Sequence, residues 1–125
     1  MRRTLLTLIF CTLSTFLIAQ ENRNTEISKL VINSFQNNEF LKIVETFDQN
    51  MKNALPAEKL KLVWDDLNSK CGKFQKMGEI TVGKIQTYDV TYTLCDFENM
   101  KLKMKLVFDK ESKIAGLFFV PENQQ

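Results

Sequence analysis

From Tyr88 to Pro121 apolar and polar positions alternate with a period of two, the signature of half-buried β-strands. Met100, Leu102, Met104, Leu106 and Phe108 fall on one face, and Lys101, Lys103 and Lys105 on the other. Upstream, Tyr88, Val90, Tyr92 and Leu94 alternate with Thr87, Asp89, Thr91 and Thr93. Glu98-Asn99 marks a turn between the two runs. With Asn99 left-handed in a three-residue loop, Leu94 is expected opposite Met104, Tyr92 opposite Leu106 and Val90 opposite Phe108. A one-residue slip would set these apolar residues against lysines, so the pattern favours that register. After a wholly polar turn at Asp109–Lys113, Ile114 to Val120 is apolar on both faces, as expected of a strand covered on both sides. Gly116 within it marks a bulge or a close backbone approach.

Ahead of the strands the spacing becomes helical. Ile27, Leu30, Val31 and Phe35 form one stripe over about Thr25 to Phe35. Gln36-Asn37-Asn38 interrupts it, with Asn38 expected as the next N-cap. Phe40, Ile43, Val44 and Phe47 form a second stripe, which loosens at Asp48-Gln49-Asn50 while Met51 and Leu55 remain placed to pack. Pro56 suits the first turn of a third helix that presents Leu60, Val63, Trp64 and Leu67 and ends at Gly72. Ile80, Val82 and Ile85, between Gly78 and Gly83, predict an irregular first strand within Phe74–Gln86. Three helices followed by about four antiparallel strands imply an α+β domain with its helices on one face of a curved sheet.

Met1 to Ala19 reads as a secretory signal peptide. Arg2-Arg3 form its charged start, and Leu5 to Ile18 an apolar run too short for a comfortable membrane span. Cleavage after Ala19 leaves one domain over residues 20–125, exported to a periplasm or beyond, which meets the membrane only in transit. The chain holds 17 basic and 15 acidic residues. Losing Arg2 and Arg3 leaves 15 against 15, so no basic surplus points to nucleic acid. The Lys101/Lys103/Lys105 row reads as a solvated outer strand face. Histidine is absent, which removes Ser-His and Cys-His catalysis and most zinc sites. No phosphate-binding glycine loop or nucleophile elbow occurs, and no cofactor is expected.

Phe40, Val44 and Phe47, then Leu60 and Trp64, then Gly72 with Phe74, and Lys113-Ile114-Ala115-Gly116-Leu117-Phe118-Phe119 followed by Pro121 carry a family resemblance. Over about Ile27 to Pro121 the chain resembles the exported bacterial family called domain of unknown function 3887, within the nuclear transport factor 2-like (cystatin-like) superfamily. The resemblance implies a sheet curled around helices into a cone whose open end can hold a small molecule. It also implies dimerisation through the sheet in many members, and isomerase or dehydratase activity in some. Relatives often precede an α/β-hydrolase domain. Residues 1–125 contain no such domain, so hydrolase activity is not carried over.

Cys71 and Cys95 form an even pair in a chain read as exported, which predicts a disulfide. Closing a loop of about 25 residues, it would contribute roughly 3 kcal/mol. In the expected register Cys95 lies on the face opposite Leu94, which makes the bridge conditional on geometry. Asp89 near Tyr88 and Tyr92 is the best isomerase-like set, but the alternation sends base and donors to opposite faces. Trp64 reads as a core anchor that could instead stack on a ligand. With Tyr88, Tyr92, Met100, Met104 and Phe118 it makes up the candidate pocket lining. The reading is of a non-catalytic module for a small apolar ligand or a protein partner. The alternatives are an isomerase- or lyase-type enzyme on a small hydrophobic substrate and a structural homodimer.

Overall fold

The computed structural model describes residues 2–123, with the side chains of the first helix described from Ile18 onward. Helices α1 (Arg2–Gln36), α2 (Phe40–Glu45), α3 (Gln49–Ala54) and α4 (Ala57–Cys71) precede strands β1 (Phe74–Ile85), β2 (Tyr88–Phe97), β3 (Lys101–Phe108) and β4 (Ile114–Pro121). The strands form one open antiparallel sheet in the order β1-β2-β3-β4, so the domain is α+β. The leader expected over residues 1–19 falls largely on residues whose side chains lie outside the described part. The backbone there is helical from Arg2 and continuous with α1. Among the described residues no helix is long and apolar enough to cross a membrane.

The expected second helix is two. α2 stops at Glu45, and Asp48 starts α3 by accepting a hydrogen bond from the Met51 backbone N–H at 2.8 Å. Between them the backbone turns extended and Phe47 makes a parallel bridge to Ile114. Asp48 N–H donates to the Ile114 carbonyl at 2.9 Å, and Ile114 N–H to Thr46 at the same distance. A tertiary contact with β4 therefore overrides the helical spacing. Asn38 is not the cap of α2: it sits at φ 57° in the turn, and Glu39 holds the N-cap position.

α1 turns a slightly different stripe inward than expected. Val31, Ile32 and Phe35 are fully buried while Leu30 is exposed. They pack with Ile43, Leu60 and Trp64 against Leu102, Met104, Leu106 and Phe108 of β3. Trp64 stacks on Phe35 at 4.7 Å between ring centroids and touches Phe74, Phe97 and Phe119. Each such ring contributes about 1.5–3 kcal/mol by burial.

The β2–β3 register differs by one residue from the expected one. Thr93 pairs with Met104, Thr91 with Leu106 and Cys95 with Leu102, whereas Tyr92 pairs with Lys105 and Leu94 with Lys103. The reason lies outside the hairpin. Asn99 is not left-handed, and a tight turn closes with Phe97 N–H donating to the Met100 carbonyl at 2.9 Å. The turn is clamped to the end of α4: Glu98 N–H donates to Lys73 at 2.9 Å and Asn99 N–H to Cys71 at 3.0 Å. Gly72, at φ 82°, permits the approach, since a Cβ there would lie 2.7 Å from Glu98 Cβ. This clamp directs Phe97 into the Trp64 cluster and sends Thr91, Thr93 and Cys95 inward with it.

β4 is an edge strand rather than one covered on both sides. Phe119 packs inward on Phe35, and Phe118 is 52% exposed on the other face. β1 is irregular as expected, with register shifts at Phe74/Lys76 and Met77/Ile80.

Candidate functional site

Helices cover one face of the sheet. On the opposite face, three rows run across the strands in register. Thr81, Tyr92, Lys105 and Phe118 form one, with Leu94, Lys103 and Val120 on one side of it and Val90, Val107 and Gly116 on the other. Lys103 Nζ sits 6.0 Å from the Tyr92 ring centroid, and Lys105 Nζ 5.7 Å from that of Phe118. Each ammonium nitrogen thus lies over an aromatic face while its side chain stays partly exposed, a contact worth about 0.5–1 kcal/mol at such sites. This explains how Tyr92 is buried on a face without helices. Phe118 folds back along its own strand: a Cβ on Gly116 would lie 3.0 Å from its Cε2. The glycine makes room for the ring, which is the close approach its position implied. At the far end of the same face, Ile85 and Tyr88 pair and are both exposed. The result is an aromatic and aliphatic surface with two ammonium groups that make no ion pair among the described residues. Lys101, by contrast, lies 3.9 Å from Asp96.

The family described as "Protein of unknown function (DUF3887)" matches residues 28–117. The chain belongs to that family. No curated protein and no solved structure matches it. The family match runs from Ser28 in α1 to Leu117 in β4, so it takes in the helical layer from Ser28 and most of the sheet of this DUF3887 domain, and it ends one residue before Phe118.

The six residues expected to line a pocket do not converge. Trp64 and Met104 are core residues between helices and sheet, at 6% and 0% exposure. Tyr92 and Phe118 share the outer face, with Tyr88 at its end, and Met100 is exposed in the β2–β3 turn. The interior in which they were expected to meet is occupied by Phe35, Trp64, Phe74, Phe97 and Phe119. Asp89 pairs with Lys84 at 3.7 Å and belongs to the helix-side phase of β2, away from Tyr88 and Tyr92. Cys71 and Cys95 are free thiols in this structure, both buried in the same core cluster. Burial pushes the Cys95 thiol up to about 12. Among the described residues no group of three His, Cys, Asp or Glu side chains is placed to hold a metal ion.

Two features escaped the sequence patterns. One is an open apolar hollow of about 500 Å³ between α2 and α4, floored by Phe40, Leu41 and Ala57 and rimmed by Glu39, Lys42, Glu58 and Lys61. A hydrogen bond from Lys42 holds the Glu39 carboxyl below its usual range. Leu41, 70% exposed, lies off the buried stripe of its helix, and that was the legible signal. The other is a buried polar seam where Asn24 and Ser28 of α1 meet Thr91 of β2. Small polar residues spaced four apart before an apolar stripe gave only a faint sign of it.

Proposed function

We propose that this DUF3887 domain is an exported, non-catalytic binding module whose outer sheet face docks a protein partner bearing apolar and acidic side chains. The observation that carries the reading is the row Tyr92–Lys105–Phe118: a half-exposed phenylalanine and a buried tyrosine beneath lysines that lack carboxylate partners among the described residues. An aromatic ring can anchor an interface centre by supplying buried area, and lysines at its rim select a partner of complementary charge. Asp89 and the two tyrosines belong to opposite sheet faces, which supports binding over isomerase- or lyase-type catalysis. The placement within the nuclear transport factor 2-like superfamily belongs to the same reading: its support is the helices-then-sheet order with one sheet face left open. The Cys71–Cys95 bridge belongs to it as well, supported by the burial of both sulfurs in one cluster.

Native mass spectrometry of the protein recovered from an exporting host, without refolding, tests this. The expected spectrum shows a processed chain, short of two hydrogens if bridged, in a complex with a second, different chain. That complex should be lost in Phe118→Asp. A bare monomer in both proteins would overturn the reading, and a species of twice the mass would replace it with the homodimer. A second reading, a small apolar ligand, is favoured by the α2–α4 hollow with Leu41 at its surface. It predicts instead a small-molecule adduct lost in Leu41→Asp.

A further inference from the structure

β4 bounds one side of the sheet, and part of its outer edge is already in use. Ile114 N–H donates to the Thr46 carbonyl and Asp48 N–H to the Ile114 carbonyl, each at 2.9 Å. The chain's own segment around Phe47 therefore lies along this edge as a single parallel bridge. α3 begins at Gln49, and the bridge is not extended.

The register fixes where the remaining backbone groups of β4 point. The β2–β3 hairpin closes with Phe97 N–H on the Met100 carbonyl. Alternation along β3 then turns the backbone groups of Leu102, Met104 and Leu106 toward β2, and those of Lys103, Lys105 and Val107 toward β4. The partners of the latter, Val120, Phe118 and Gly116, bond back to β3. Leu117 and Phe119 thus aim their N–H and C=O groups away from the sheet, as Ile114 does. These groups have no backbone partner among the described residues. Pro121, without an N–H, ends the stretch. The opposite edge, β1, suits pairing less, because two register shifts interrupt it.

We propose that the free edge at Leu117–Phe119 takes up an extended segment of the protein partner as an added strand, with acidic side chains on the outer face and apolar ones on the helix side. This rests on the outer face being a docking surface and names how its partner is held. Side chains directly opposite across a strand pair share a face. The residue beside Phe118 lies on the outer face, where Lys105 Nζ, 5.7 Å from the Phe118 ring centroid, reaches over from β3. Lys105 makes no ion pair among the described residues, so an acidic side chain complements it. The residues beside Leu117 and Phe119 lie on the helix side, where both of these pack on the core, and there an apolar side chain gains cover. A second copy of β4 does not fit the pattern, since Ile114–Pro121 holds no carboxylate.

The test is amide NMR of the full chain titrated with a capped peptide of alternating glutamate and valine. One control peptide has the same composition in two blocks, and another is the alternating peptide with every amide N-methylated. Saturable shifts and slowed hydrogen exchange are expected at Leu117 and Phe119 with the alternating peptide and with neither control. Lys105→Glu, a change on the outer face, should weaken that titration by about tenfold. No saturable shift, equal binding of the N-methylated peptide, or undiminished binding in Lys105→Glu would each overturn the proposal. Shifts confined to Lys105 and Phe118, with Leu117 and Phe119 unprotected, would overturn strand addition and leave the docking face standing. Failure of the docking face itself reads differently, as a native complex retained in Phe118→Asp.

Discussion

Cys95 shows how much one side chain's setting differs from its type. It is fully buried, and its Sγ contacts the Thr93 carbonyl at 3.4 Å. Burial raises its pKa from 9.0 to about 12. In the reduced protein the unfolded chain ionises this thiol near 9 while the folded chain holds its proton. Above that pH the unfolded state binds fewer protons, and folding stability falls as pH rises. Cys95 thus contributes stability that is complete below about pH 9 and declines toward about pH 12. The slope approaches about 1.4 kcal/mol per pH unit. Reduced wild type and Cys95→Ala, unfolded by urea at several pH values, should differ most at neutral pH and draw together across that window. A gap that stays constant would mean the thiol reaches solvent in the folded state.

At the scale of the element, β4 presents two consecutive phenylalanines in opposite roles. Phe119 meets Phe35 edge-on at 5.9 Å and lies beside Trp64, whereas Phe118 rests on Gly116 beneath Lys105 and is half exposed. Phe119→Ser should cost about 2–3 kcal/mol, somewhat less than for a fully buried ring, and Phe118→Ser about 1 kcal/mol or less. Equilibrium unfolding of the two variants separates them, and equal losses would reject the assignment of faces. The same strands show what the sequence could reveal. The period of two in β3, the irregular β1, the Gly72 stop and the polar 109–113 turn follow from local chemistry and were legible. The pairing of β2 was not, because its even positions, Val90, Tyr92 and Leu94, are the more apolar. Its register is imposed from outside, by the α4 end gripping Glu98 and Asn99 and by the demand of Trp64 for Phe97. The split between α2 and α3 was hidden for the same reason, since its cause is a bridge from Phe47 to Ile114, far along the chain. Of the candidate site, the lysine row was legible as an outer face, but its aromatic neighbours were assigned inward by the expected register.

For the whole molecule, that correction decides what the outer face can pair with. In an isologous dimer built on this face, the two-fold axis sets the stripe of one copy against the same stripe of the other. Lys103 and Lys105 would then face the lysines of the other copy's stripe, with no carboxylate partner of their own among the described residues to offset them. At a separation of roughly 10 Å each like-charged pair costs about 0.4 kcal/mol in water, and more as the surfaces exclude solvent. Salt removes this penalty, because the screening length falls from about 30 Å at 0.01 M to about 3 Å at 1 M. The purified domain should therefore sediment as a monomer at about 0.02 M salt, and any self-association should strengthen toward about 0.5 M. An acidic partner must show the reverse, binding best at low salt and weakening as salt rises. Sedimentation velocity across that range distinguishes the two. A dimer already dominant at low salt, and retained in Lys105→Glu, would show that apolar contact through Phe118 outweighs the lysine row and that a second copy is the occupant of this face.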